Sequence, residues 1–464
     1  MKTRLIRRLL LWCAVLCLLG LGTAWGLWVF LQQERTASEL IRYTLQRLQG
    51  HPKLEAIAHP LLFAVQRSHE RPVPSTELPT LGKGQQPLTL SPGGTAHFTV
   101  SDANAIAQAM RQAQAGQVIE IAPGRYTIKQ ALKTAQAGGA GAPITLRASQ
   151  PGSVTLEIAT PEGIIIQHPY WIIENLVMRG SCADDSQCEH ALHVVGGGQH
   201  TIIRNNRIED FNAHIKVNGL RGQWPDHGLI RFNTLGNTRA RRTHLPVTPI
   251  DIVGASHWQV QDNLISRFVK AEGNRVSYGV FMKGAGAHGR IERNLVICTP
   301  EDISQPGSRV GISLGGGGTG KQYCRDGVCA AEHFDGVVAH NIVAHCNDFG
   351  IDVNAADRSR IAFNTLINTS GIDARRAAND TQVNGNLLEG RIRARDGSTI
   401  STSLNETRPL SRYFTAPDQL DLRWLRLPET IPSTPELGAD FCNKPRRDGT
   451  LPGAIDAEQG CPRP

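Results

Sequence analysis

One short phrase recurs down the middle of this chain: an aliphatic or polar pair, two further residues, an Asn, one residue, an aliphatic. It reads WIIENLV at 171–177, IIRNNRI at 202–208, LIRFNTL at 229–235 and QVQDNLI at 259–265. It returns as RIERNLV at 290–296, VVAHNIV at 337–343, RIAFNTL at 360–366 and QVNGNLL at 382–388. The Asn residues are Asn175, Asn206, Asn233, Asn263, Asn294, Asn341, Asn364 and Asn386, mostly 22 to 31 residues apart. A period of this size marks a stack of supersecondary units that bury a core only against their neighbours.

The phrase is short, alternating and rich in β-branched residues, so it predicts a strand that bends at the Asn. Asn tolerates left-handed backbone, which suits a bend, and its amide can bond to the Asn of the coil above and the coil below. A second strand precedes most of the Asn phrases: ALHVV at 191–195, HIKVN at 214–218, PIDIV at 249–253, GVFMK at 279–283, GISLG at 311–315, GIDVN at 350–354 and GIDAR at 371–375. Successive strand residues point to opposite faces. Leu192, Ile215, Ile250, Val280, Ile312, Ile351 and Ile372 therefore form one inward column, and Val194, Val217, Ile252, Met282, Leu314, Val353 and Ala374 the other. A helical solenoid would need 3.6-residue periodicity in each repeat, and none is present. The expected fold is all-β, a right-handed parallel β-helix over 96–400.

Residues 9–31 are an unbroken apolar run behind Lys2, Arg4, Arg7 and Arg8. The length suits one membrane span, and the basic residues place the tip 1–8 in the cytoplasm. A cleavable signal peptide ending at Gly22-Thr23-Ala24 is the rival reading. The apolar stretch continues past that point through Trp25–Leu31, which favours an uncleaved single-pass anchor in the inner (cell) membrane. The bulk of the chain then lies in the periplasm or an equivalent extracytoplasmic space. Residues 32–70 read as a juxtamembrane helical segment, with Leu40, Ile41, Leu45 and Leu48 on one face. Residues 71–95 read as a linker. An amphipathic helix at 102–114 is placed to cover the first coil, and 401–464 is expected to fold back as the other cap.

The chain has 10 Cys, of which Cys13 and Cys17 lie in the apolar run. The other eight suit an oxidising compartment. Cys298 and Cys346 each follow an Asn phrase at nearly the same register, so neighbouring coils bring them within disulfide reach. Cys182–Cys188, Cys324–Cys329 and Cys442–Cys461 are expected as local staples. Zinc binding through these cysteines would call for a CxxC spacing that is not there. The net charge of +8 includes the four basic residues of the tip. A mildly basic remainder behind an export signal argues against a nucleic-acid binder.

The outward columns of the second strands carry the chemistry. One runs His193, Lys216, Asp251, Phe281, Ser313, Asp352, Asp373. The other runs Val195, Asn218, Val253, Lys283, Gly315, Asn354, Arg375. Lys, Asp, Asn and His on one flat face suit proton abstraction beside a carboxylate, with Lys283, Lys216 and Asp251 as catalytic candidates. A uronic acid loses its C5 proton once its carboxylate is neutralised, and losing the C4 substituent or reprotonating from the other face gives a lyase or an epimerase. His193, Asn218, Asp352 and Asn354 are candidate substrate contacts. So are Arg239, Arg241, Arg242 and His244 in the loop before strand 249–253, because Arg forks match carboxylates. The bland alternative for that loop is a solvated basic patch.

Three weaker signals complete the reading. Asp352 and Asp373 sit on adjacent rungs, so glycoside hydrolysis stays open. The Gly315–Gly318 run lacks the pattern of a phosphate loop and reads as a wide turn or a place of close polymer approach. Asp184, Asp185 and Glu189 offer oxygen ligands for Ca2+, against the alternative of a solvated, disulfide-pinched loop.

Residues 95–400 resemble secreted right-handed β-helix proteins, and in particular the chondroitinase-B/alginate-lyase family of polysaccharide lyases. AIAQAMRQAQAGQVIEIAPGRYTI is similar to that family's cap helix and first strand, and YGVFMKGAGAHGRIERNLV to its catalytic-lysine coil. The resemblance implies Lys283 as the Brønsted base, an acidic polysaccharide as partner and Ca2+ as a cofactor. The family's catalytic Arg has no counterpart in GISLGGGGTG, and its paired acidic Ca2+ ligands are represented before Lys283 only by Glu272. An epimerase, or a β-helix that binds glycan or builds the envelope without catalysis, is the alternative.

Overall fold

The computed structural model describes residues 51–69, 81–87, 95–300, 307–316, 318–432 and 438–458, with Cys461 and a few positions before residue 51. The apolar run 9–31 and the anchor expected there lie almost wholly outside the described residues. Among those described, no helix is long and apolar enough to cross a membrane.

Strands stack in three long parallel sheets of twelve, eleven and ten strands among the described residues. Each coil visits all three in turn. Strand Ile202–Arg204 belongs to the twelve-stranded sheet, Arg207–Glu209 to the eleven-stranded and Ala213–Asn218 to the ten-stranded one. Strands pair with their counterparts on adjacent coils, Ile203 with Ile173 and Ile230, for example. The architecture is the parallel β-helix that the repeat predicts. Its core includes the two inward columns, from Leu192 and Val194 to Ile372 and Ala374, every member 1% exposed or less. Helix Ala103–Gln112 covers the first coil. Asp102 caps it by accepting from the Ala105 amide at 2.8 Å, and Ile106, Ala109 and Met110 drop into the core.

The Asn phrase forms the corner between the twelve- and eleven-stranded sheets. Asn206, Asn233, Asn263, Asn294, Asn341, Asn364 and Asn386 make a continuous ladder, each side-chain amide donating to the next Asn at 2.9–3.1 Å. Each amide also donates to buried carbonyls; Asn294, for instance, reaches Val260 O at 2.8 Å and Glu292 O at 3.1 Å. The ladder thus satisfies backbone groups that a sharp bend would strand.

Two details depart from the sequence reading. Left-handed backbone falls on the residue before each ladder Asn, at Asn205, Phe232, Asp262, Arg293, His340 and Phe363. The ladder Asn itself needs its backbone amide free to donate to the next Asn, as Asn233 N does to Asn263 Oδ1 at 2.9 Å. Asn175 is one place out of register: Ile172 pairs with Ile202, so Asn175 lies opposite Asn205 and bonds to it at 2.8 Å, while Leu176 takes the ladder place. At the other end the ladder gains Asn405, because strands Ile400–Ser403 and Glu406–Thr407 add a further coil.

The tail does not sit over the open end. Leu410, Phe414, Leu420, Phe441 and Ile455 pack on Leu264, Leu295, Ile342 and Leu387, which lie on or just beyond the outer face of the eleven-stranded sheet. Residues 81–87 cross the ladder corner as a strap. Gly84 N reaches Asp262 O at 3.1 Å, and Gln86 N reaches Asn205 Oδ1 at 2.6 Å. The disulfides join Cys182 to Cys188, Cys298 to Cys346, Cys324 to Cys329 and Cys442 to Cys461, the pairs expected from register and spacing.

Candidate functional site on the ten-stranded sheet

Strict alternation along the ten-stranded sheet turns polar side chains outward, and parallel pairing places them in file. His193 pairs with Lys216, Lys216 with Asp251, Asp251 with Phe281, Phe281 with Ser313, Ser313 with Asp352, and Asp352 with Asp373. In the neighbouring column Asn218 pairs with Val253, and Val253 with Lys283.

Lys216 and Lys283 converge on Asp251. Lys216 Nζ lies 2.5 Å from Asp251 Oδ2, and Lys283 Nζ lies 3.6 Å from Oδ1. The lysine side chains keep 19% and 20% of their surface exposed, against 6% for the carboxylate. Two half-buried lysines thus share one buried counter-charge. Burial acts to raise the Asp251 pKa, but the two ammonium groups outweigh it and hold the carboxyl at about 2. Lys283 Nζ also lies 4.2 Å from the centroid of the Phe281 ring, which stacks on Tyr278 at 4.3 Å.

The glycine run crosses this same spot. A Cβ on Gly316 would stand 2.6 Å from the Phe281 ring, so only glycine lets the loop pass so close. Glu332 holds the loop, accepting from Gly318 N and Thr319 N, each at 2.9 Å, and from the Thr319 hydroxyl at 2.6 Å. Gly316 thus packs beside Phe281 and Lys283.

At the other end of the file His193 is held between Glu162 and Asn218. Its Nδ1 is 2.6 Å from Glu162 Oε1 and its Nε2 is 2.7 Å from Asn218 Oδ1. His190 stands edge-on to His193, with ring centroids 5.1 Å apart. Glu162 and His190 were not among the sequence candidates. Extending the second-strand alignment one coil upstream, to EGIII at 162–166, would have found Glu162, which pairs with His190.

The remaining candidates are placed as follows. Asp352 is fully buried and receives Arg375 on both oxygens, at 2.8 and 2.7 Å, and Asn354 is 1% exposed. Asp373 meets Arg393 and Arg395, both at 3.0 Å. Neither acid is free to face a substrate or to work with the other. In the basic loop, Arg239 grips Asp185 through two bonds of 2.8 and 2.6 Å, Arg241 lies 3.1 Å from the same carboxylate, and Arg242 donates its backbone amide to it at 2.7 Å. This loop is pinned to the Cys182–Cys188 segment. The side chains of Arg242 and His244 remain exposed, with His244 at 3.9 Å from Glu272. Because Asp185 is committed to arginine, Asp184, Asp185 and Glu189 do not gather as a Ca2+ site. A separate groove, lined by Asp335, Arg358, Arg360, Asp380 and Gln382, belongs to the twelve-stranded sheet and its turns.

No family model matches the chain, and no curated protein matches it by sequence. Solved structures do. A pectate lyase aligns over 75% of this chain and 90% of its own, at 12% identity and a TM-score of 0.50. The two share a fold. A family 6 polysaccharide lyase from Pseudopedobacter saltans covers 72% of this chain and 97% of its own at 14% identity, with a TM-score of 0.36. The mannuronan C-5 epimerase A-module of Azotobacter vinelandii covers 68% and 94% at 11% identity, with a TM-score of 0.41. The resemblance drawn from the cap and lysine coils thus has its counterpart at the level of the parallel β-helix.

Proposed function

We propose that the protein acts on an acidic polysaccharide laid across the outer face of the ten-stranded sheet, as a β-eliminating lyase or a C5-epimerase. The observation that carries this reading is the pair of partly exposed lysines, Lys216 and Lys283, seated on one buried carboxylate. A uronate carboxylate meeting Lys216 loses much of its charge, which acidifies the adjacent C5–H. Lys283, as the neutral amine left after it gives up its own proton to solvent, takes that proton. The resulting carbanion expels the C4 oxygen, giving a C4–C5 double bond and a new chain end, or regains a proton on the opposite face, giving the epimer. The pectate lyase that shares the fold bears a name with the same substrate class. Hydrolysis is disfavoured because Asp352 and Asp373 are each closed by arginine. The same reading tethers the domain outside the cytoplasm through residues 9–31, in keeping with its four disulfides.

The test is incubation with alginate, pectate and glycosaminoglycans. Absorbance of the unsaturated product reports elimination, and NMR of the same samples reports epimerisation. Lys283→Ala should abolish turnover while leaving the fold and binding of the polymer intact. Full activity in that variant would overturn the role of Lys283. Binding without any product over long incubation would favour the second reading, a glycan-docking protein whose lysines only hold carboxylates.

A further inference from the structure

We propose that Glu162, His190 and His193 form a site for a divalent transition metal of the zinc class, two rungs along the same sheet from Asp251. One ligand atom from each of the three lies within 4.8 Å of the others. Two imidazoles and one carboxylate are a donor set for zinc and its neighbours, whereas Ca2+ asks for six to eight oxygens.

Asn218 supplies the decisive detail. Its side-chain nitrogen donates to Gly219 O at 2.9 Å, which turns its oxygen toward His193 Nε2 at 2.7 Å. That contact fixes a proton on Nε2, the way an outer partner orients a metal-bound histidine. Nδ1 then faces Glu162 Oε1 at 2.6 Å. Two lone pairs cannot meet at that distance, so a proton or a metal ion must lie between them. A metal needs the pair to open by under ~1 Å to reach ligand distances near 2.1 Å on each side. His190, half-buried beside them, has an Nδ1 with no hydrogen-bond partner among the described residues. The ligands leave one side open, for the Glu162 side chain is 33% exposed. Lys216 is the cation that opposes such a site, and Asp251 neutralises it.

The spacing tells what the ion would hold. Rungs are about 4.8 Å apart, so the site stands roughly 10 Å from Asp251, the carboxylate toward which the Lys283 ammonium reaches. That is too far for the carboxylate of the sugar being deprotonated. An ion there would grip the carboxylate of a neighbouring unit of the polymer. This substrate role rests on the proposed function; the metal site does not.

The experiment needs no polysaccharide. The full chain is stripped with chelator, then titrated with Zn2+ by calorimetry and with Co2+ by visible absorption. The expected result is one equivalent bound, with the intense Co2+ bands of a low-coordinate nitrogen site. Glu162→Gln, His190→Gln and His193→Gln should each weaken binding at least tenfold. His227→Gln should not, because His227 belongs to a separate file of stacked rings, His200, His227, His257 and His288, 4.5–5.0 Å apart. Cys13→Ser/Cys17→Ser removes the remaining thiols and should leave the bands unchanged. Circular dichroism of each variant confirms that it is folded. Absence of Co2+ bands in the parent, or their survival in both folded Glu162→Gln and folded His193→Gln, overturns the site and leaves a protonated His193–Glu162 pair.

Discussion

Lys83 Nζ lies 2.7 Å from Asp262 Oδ1, with the side chains 2% and 0% exposed, although the two residues are 179 positions apart. Arg231 and Arg293 approach the same carboxylate at 3.0 and 3.3 Å, and the Lys83 ammonium also sits 4.5 Å from the centre of the Phe441 ring. Burial pulls the Lys83 pKa down, against the opposing pull of Asp262. Lys83→Met should destabilise the protein by about 3 kcal/mol, the lower range for breaking a buried pair, since two arginines still serve Asp262. Urea unfolding of parent and variant measures it; an unchanged midpoint would show that the pair carries no stability.

The Asn ladder predicts a gradient. Asn294→Ala removes the side-chain partner of the Asn263 amide and of the buried Val260 and Glu292 carbonyls, at about 1–3 kcal/mol for each group left unpaired. Asn405 ends the ladder and is only half-buried. Asn405→Ala should cost well under half as much in the same unfolding assay.

Disulfides should differ by the chain they enclose. Cys298–Cys346 spans 48 residues, and Cys324–Cys329 spans 5. Loop entropy assigns the first about 4 kcal/mol and the second about 2 kcal/mol. Paired Cys→Ala replacement followed by calorimetry should place Cys298–Cys346 first.

Acid stability should fall in two overlapping windows. Burial depresses His214 and His333 to about 4, below their unfolded value of 6.5. The unfolded chain then binds protons that the fold refuses, so stability present above pH 6.5 is lost as pH falls to 4. Asp251, held at about 2 against 3.8, adds stability above pH 3.8 that is lost as pH falls through 2. Melting temperatures across pH 2–8 should show His333→Phe flattening the upper window alone. Asp251→Asn should remove only the lower one, worth about 2 kcal/mol.

The file from His193 to Asp373 was legible because alternation of period two leaves a strand no choice of face, and the repeat then fixes its neighbour. The same logic found Cys298–Cys346. It failed where the chain leaves the repeat. Nothing in the spacing of Arg239 and Arg241 reveals that Asp185 holds them, since loop conformation is set by contacts with another loop. Asn175 misled because two adjacent Asn at 205 and 206 offered two registers. The tail shows a related limit: apolar residues such as Phe441 and Leu410 announce a surface to be covered, and the chain alone does not say which.

The meeting of the strap and the tail at Asp262 bears on how the molecule comes apart. A plain solenoid is a one-dimensional array that can fray coil by coil from either end. Here residue 83 arrives from the start of the chain and residues 441 and 443 from its finish, and they bind at a middle coil. Peeling the first or last coil does not free that junction, and breaking the junction loosens both ends together. The coils should therefore unfold as one cooperative unit.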